Sequence, residues 1–178
     1  MSGAIIGIDP GLDGAIAYLE PDGMRVTVLP MPTVTEGVGK SVRRRVDLWR
    51  LAEILGRMRD EGAVAAWVEK VQSQPNDGHV QAFAFGWGAG VVSMGLACVR
   101  LRTFYVSPIT WKRSFKLGKD KDLSRLRASQ LFPDDAHFWP NKGDHDRAEA
   151  ALIARYGRSV MVTAGDLAGA KAASPATA

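Results

Sequence analysis

"IIGIDPGLDG", residues 5–14, decides how this chain is read. A short apolar run ends on Asp9, and Gly11 and Gly14 follow at once. Continuous apolar residues over this length read as a strand buried on both faces. A carboxylate at the end of such a strand is costly unless something positive meets it. "PGLDG" reads as a tight turn that starts the next strand and leaves Asp9 open. Asp13 is a turn residue or an outer partner of whatever meets Asp9.

Outward from this stretch, "GAIAYLE" and "MRVTVLP" flank the turn "PDG" and read as antiparallel strands. Residues 31–45 are polar and glycine-bearing, and read as a loop. Residues 46–62 read as an amphipathic helix. Val46, Trp49, Ile54 and Met58 fall at roughly helical spacing, Asp47 sits in the first turn and Gly62 closes it. "AVAAWVEK", residues 63–70, is a second buried strand that also ends on a carboxylate, Glu69. A loop, an uncharged helix over 79–96, a third core strand and a helix over 122–131 follow. The last helix starts at Asp144 as N-cap and stops at Gly157 as C′ residue. The order predicts an α/β fold: a mixed sheet with antiparallel N-terminal strands, parallel core strands and helices on both faces.

The bulk numbers fit one domain. The chain has 178 residues, with 46% hydrophobic and 24% charged content, which suits a folded globular protein. The net charge is +4 and the pI about 9.4, a balance that favours polyanionic partners. Cys98 is the single cysteine, so neither an internal disulfide nor a multi-cysteine zinc site can form. That, with no signal-peptide pattern at the start, predicts a cytoplasmic setting. Residues 80–99 carry no charge and are long enough to span a bilayer. Their glycines, Gln81 and Ser93, and the lack of a second span, favour a buried helix and no membrane role.

The acids carry the chemistry. In "DHDRAEAALIA", residues 144–154, Asp146 and Glu149 are three apart and share one helix face. Acids at a helix N-terminus also favour its dipole, which accounts for Asp144 and can account for Asp146. Glu149 lies beyond the first turn among alanines, and needs another reason. If the ends of two neighbouring strands bring Asp9 and Glu69 to the same edge, four carboxylates meet. They repel one another unless cations sit between them. Mg²⁺ suits oxygen ligands, and two such ions about 4 Å apart activate a water and stabilise the leaving oxygen of a phosphodiester.

These motifs resemble the RuvC-type Holliday junction resolvases, within the ribonuclease H-like nuclease superfamily. "IIGIDPGLDGAIAYL" resembles their opening strand and turn, and "WVEK" their second acidic strand. "HVQAFAFGWGAGVV" is similar to their long helix, "VSPITWK" to their approach to DNA, and "DHDRAEAALIA" to their closing acidic helix. The resemblance covers roughly residues 4–157. It implies a ribonuclease H-like fold with a five-stranded mixed sheet, one nuclease domain over 1–158 and a flexible tail over 159–178. It implies catalysis and metal ligation by Asp9, Glu69, Asp146 and Glu149, with two Mg²⁺ ions that Mn²⁺ can replace. The third acid is Asp146 or Asp144, with His145 beside it. The last acid is usually aspartate in the family and is glutamate here. Family members often carry an aromatic residue three positions after the second acid; here it is Gln72. The implied activity is Mg²⁺-dependent cleavage of four-way DNA junctions by a homodimer, leaving 5′-phosphate and 3′-hydroxyl ends.

Residues 107–127 hold seven basic side chains: Lys112, Arg113, Lys116, Lys119, Lys121, Arg125 and Arg127. This excess suits phosphate contacts and salt-dependent binding, against the simpler reading of a solvated basic face. The resemblance sets Lys112 and Lys121 nearest the scissile phosphate. Arg43, Arg44 and Arg45 form a second basic cluster that suits backbone contacts. No base-reading motif is evident, so shape is expected to dominate recognition. Three alternatives stand beside this reading. One is a broader branched-DNA or RNA nuclease of the same fold. Another is a non-catalytic junction binder. The third is an actin-like kinase lobe, which "DPGLDG" also resembles but which needs a second lobe.

Overall fold

The computed structural model describes residues 3–38, 42–71, 78–118 and 121–165, without the side chains of Gln81 and Lys121. Strands β1 (Ala4–Asp9), β2 (Ala15–Leu19) and β3 (Val26–Pro30) form an antiparallel meander. A small hairpin follows, β4 (Thr33–Glu36) and β5 (Arg43–Val46), and then helix α1 (Leu48–Asp60). Strand β6 (Ala63–Glu69), helix α2 (His79–Cys98) and strand β7 (Arg102–Val106) complete the parallel part. Helices α3 (Pro108–Ser114), α4 (Lys121–Leu131) and α5 (His145–Thr163) close the chain, with 3₁₀ turns at Pro133–Phe138 and Lys142–Asp144. The five-stranded sheet runs β3-β2-β1-β6-β7, with β1, β6 and β7 parallel. This is the mixed sheet that the order of elements predicts.

Side chains alternate across the sheet, and the alternation sorts the core into two layers. Ile5 of β1 and Ala65 and Trp67 of β6 pack with α5 residues such as Ala151 and Ile153. Ile6, Ile8, Ala66 and Val68 pack on the opposite side with Leu51 and Leu55 of α1 and Val92 and Leu96 of α2. Gly7 lies on the α5 side. A Cβ there would stand 2.2 Å from the Ala150 carbonyl oxygen and 2.4 Å from the Ala154 nitrogen. Only glycine lets α5 lie this close to the strand.

Three local expectations change. Residues 31–45 are not all loop: β4 and β5 pair Thr33 with Val46 and Glu36 with Arg43. The polar, exposed strands of this hairpin give no apolar alternation to read. Trp49 is 85% exposed, and α1 instead buries Leu51, Ile54, Leu55 and Met58, with Asp47 as N-cap bonding Arg50 N. Gly157 does not end α5, which continues to Thr163. A Cβ at Gly157 would stand 2.2 Å from the Trp67 ring, so this glycine makes room for tryptophan. Residues 159–163 are therefore helix rather than tail, and 166–178 lie outside the described residues. No helix among the described residues is long and apolar enough to cross a membrane.

Candidate active site

Ile8 pairs with Val68 across β1 and β6, so Asp9 and Glu69 end neighbouring parallel strands. Each is an even number of residues from its strand's α5-facing positions, so each leaves the sheet on that side. Helix α5 begins over the same edge. Asp9, Asp146 and Glu149 each offer a carboxylate oxygen within 4.8 Å of the others. Glu69 stands beside this trio, near enough to repel Asp9 and to be repelled by Glu149 and Asp146.

Burial and neighbouring negative charge dominate the electrostatics. Loss of water, chiefly, and then the charges of Glu69 and Asp146 push the Asp9 carboxyl up to about 7. A hydrogen bond from Gly11 N, at 3.2 Å, opposes this. Burial also raises Glu69, against a hydrogen bond from Trp111 Nε1 at 2.7 Å. Glu149 is 5% exposed, and its Oε1 accepts from Lys112 Nζ at 2.8 Å and Ser124 Oγ at 2.9 Å. This donor set fits a hard divalent cation: oxygen ligands only, close together, and in excess of the positive charge around them.

Asp144 is separate from the three clustered acids. Its Oδ2 accepts from Asn141 N at 2.9 Å in a capping box, and Arg147 Nη1 lies 3.6 Å from its Oδ1. Of the two candidates for the third acid, Asp146 is the one whose carboxylate lies with those of Asp9 and Glu149. His145 Nε2 lies 2.9 Å from Asp146 Oδ1, so the histidine touches the cluster through its neighbour.

The basic residues divide. Lys112 is turned to Glu149, whereas Arg113 and Lys116 are exposed and line an open groove with Ile109 and Leu117. Arg125 is tied to Asp122 and to the Pro140 carbonyl, and Arg127 to Gln130. Arg44 pairs with Asp13, which gives that turn aspartate a partner, and lines a cleft with Asp9 and Asp146. Arg45 bonds Glu36 at 3.2 Å and lies over the Trp87 ring, and Arg43 is exposed. Gln72, Lys119 and the side chain of Lys121 lie outside the described residues.

Trp111 and Ser124 were not among the expected site residues. Ser124 had a legible signal: with Ala128 and Leu131 it sits on the inward stripe of α4, where a hydroxyl needs a buried partner. Trp111 had none beyond its place next to Lys112.

No family model and no curated protein matches this chain. Solved structures do. RuvC of T. thermophilus in complex with a Holliday junction substrate aligns at a TM-score of 0.59 with 17% identity, over 88% of this chain and 96% of that one. A second structure, Thermus thermophilus RuvC, aligns at 0.54 with 19% identity and the same coverage. With its β3-β2-β1-β6-β7 sheet and α5 across β1 and β2, this chain has the RuvC-type, ribonuclease H-like fold.

Proposed function

We propose that this chain is a divalent-metal-dependent endonuclease that cuts four-way DNA junctions. One observation carries the reading: the oxygens of Asp9, Asp146 and Glu149 meet within 4.8 Å beside Glu69. The fold is shared with a T. thermophilus RuvC solved with a Holliday junction substrate, which supports the choice of substrate.

Asp9, Glu69, Asp146 and Glu149 would hold two Mg²⁺ ions, or Mn²⁺ in their stead. When bound, such ions supply an activated water and stabilise charge on the leaving oxygen. The remaining work falls to the chain. Asp9 and Asp146 line an open cleft at the α5-facing edge of the sheet, Glu69 lines an adjoining one with Asp9, and Glu149 lies buried behind them. Arg113 and Lys116 offer exposed cations along one side, and Arg43 and Arg44 along the hairpin side. Lys112 donates to Glu149 and lies between the acids and that basic groove. Lys119 and Lys121 extend the same basic stretch in sequence. The products would carry 5′-phosphate and 3′-hydroxyl ends, in a cytoplasmic setting consistent with the single Cys98.

A homodimer belongs to this proposal. Helix α2 is apolar on most sides, yet Val80, Phe83 and Met94 are more than 60% exposed. An apolar helix face left in water favours a partner. A two-fold pair of subunits would set one cleft on each of two opposed strands of a junction.

The test is cleavage of a synthetic four-way junction, a flap and a linear duplex, with and without Mg²⁺, using Asp9→Asn as control. Paired symmetric nicks in the junction alone are expected, lost without metal and in the variant. Equal cutting of all three substrates would replace the resolvase reading with a broader nuclease. Binding without cutting would make the protein a junction binder.

A further inference from the structure

Two of the four candidate acids, Glu69 and Glu149, are glutamates, and each has one oxygen taken by a buried neutral donor from the α3–α4 segment. Trp111 Nε1 donates to Glu69 Oε2 at 2.7 Å, and Ser124 Oγ donates to Glu149 Oε1 at 2.9 Å. Trp111 is fully buried and Ser124 is 1% exposed. The aspartates are met from nearer in the chain: Asp9 by Gly11 N, and Asp146 by His145.

The difference follows from side-chain length. Glutamate has one more rotatable bond than aspartate and loses more rotamer freedom when fixed. A ligating carboxylate needs an outer partner to hold its plane. A helical serine often turns back to the carbonyl one turn earlier. Ser124 instead reaches across from α4 to α5. A buried tryptophan N–H also needs an acceptor, and Trp111 takes one at the sheet edge.

We infer that Trp111 and Ser124 are positioning residues that orient Glu69 and Glu149 for cation binding. The inference rests on the metal-dependent reading proposed above. It gives the α3–α4 segment two jobs. Its exposed Arg113 and Lys116 face solvent along the basic groove, while its buried donors fix the carboxylates behind them.

The test uses Trp111→Phe and Ser124→Ala in the full chain, with Mn²⁺ titrated calorimetrically into DNA-free protein. Each change should weaken Mn²⁺ binding by about 10–100-fold. Junction cleavage should show a lower kcat with an unchanged KM. In a Glu149→Ala background, Ser124→Ala should weaken the residual Mn²⁺ binding by no more than about twofold, because it acts through that glutamate. Unchanged Mn²⁺ affinity in both single variants would overturn the inference. So would a Ser124→Ala loss of equal size in the Glu149→Ala background. If Trp111→Phe does not fold, Ser124→Ala still decides. This Mn²⁺ pattern across the variants, together with wild-type protein that cuts no nucleic acid, would overturn the nuclease reading and leave the positioning intact. Wild-type protein that takes up no Mn²⁺ would overturn both.

Discussion

Asp9 and Glu69 leave the sheet one step beyond the Ile8–Val68 pair, on the side that α5 covers. Two strands distant in sequence thus end with like charges at one edge. That arrangement is unfavourable for the protein alone and favourable for a protein holding a cation.

Asp9→Asn should stabilise the metal-free protein near neutral pH while abolishing cleavage. The native state raises this carboxyl from 3.8 to about 7. The folded protein therefore resists ionisation more than the unfolded chain does. Stability from this group is greatest below pH 4, falls as pH rises toward 7 and is level above it. At about 1.4 kcal/mol per pH unit, the upper bound on the cost is about 4 kcal/mol. Thermal melts of both proteins at pH 5 and pH 8 check this: the variant's advantage should grow with pH. A wild type that is the more stable at pH 8 would contradict the electrostatic account.

Divalent metal should reverse that trend. Its uptake requires the Asp9 proton to leave, so binding should strengthen from pH 5.5 to 8 and release protons. Calorimetry of Mg²⁺ or Mn²⁺ binding in two buffers of different ionisation enthalpy measures the release. More proton release at pH 6 than at pH 8 is expected. Equal release at both values would count against it.

Gly7→Ala should damage the site through packing alone. The new methyl would press on α5 backbone at Ala150 and Ala154, and push away the helix that carries Asp146 and Glu149. Overpacking of this kind costs about 1–3 kcal/mol or more. Urea unfolding should report the loss, and cleavage should fall even at temperatures where the variant stays folded. Retention of full stability would mean that α5 sits further from β1 than described.

Arg113→Ala and Lys116→Ala should weaken DNA binding without touching metal affinity. Both side chains are exposed and line the groove beside Lys112. Each lost phosphate contact should flatten the dependence of log affinity on log salt by about 0.9. Binding measured across a salt series, with Ca²⁺ in place of Mg²⁺, gives the slopes. Unchanged slopes in both variants would remove this groove from the DNA path.

Asp135→Ala separates stability from the site. This aspartate is 2% exposed and accepts from Val26 N at 2.8 Å and from Arg25 at 2.8 Å. It fixes the 3₁₀ turn at Pro133–Phe138 to the edge strand β3. Its loss leaves a buried N–H unpaired and should cost about 2–3 kcal/mol. Metal affinity, measured below the lowered melting temperature, should not change.

Sequence alone determined the five strands of the main sheet, the strand-ending acids and the i, i+3 pair on the last helix, because each is a local pattern. Apolar runs mark buried strands, and a glutamate among alanines marks a position that packing does not explain. The hairpin at β4–β5 escaped because its polar, exposed faces leave no period to read. Gly157 looked like a helix stop, and only the position of Trp67 shows why a glycine stands inside α5. That Asp146 rather than Asp144 lies beside Asp9 is likewise tertiary: both suit a helix start, and only the packing of α5 over β1 brings Asp146 there. The partners of Trp111 and Ser124 were decided the same way. The inward stripe of α4 shows that Ser124 needs a buried partner, but which acid each donor meets, 42 and 25 positions away, is set only once α3 packs on β6 and α4 on α5.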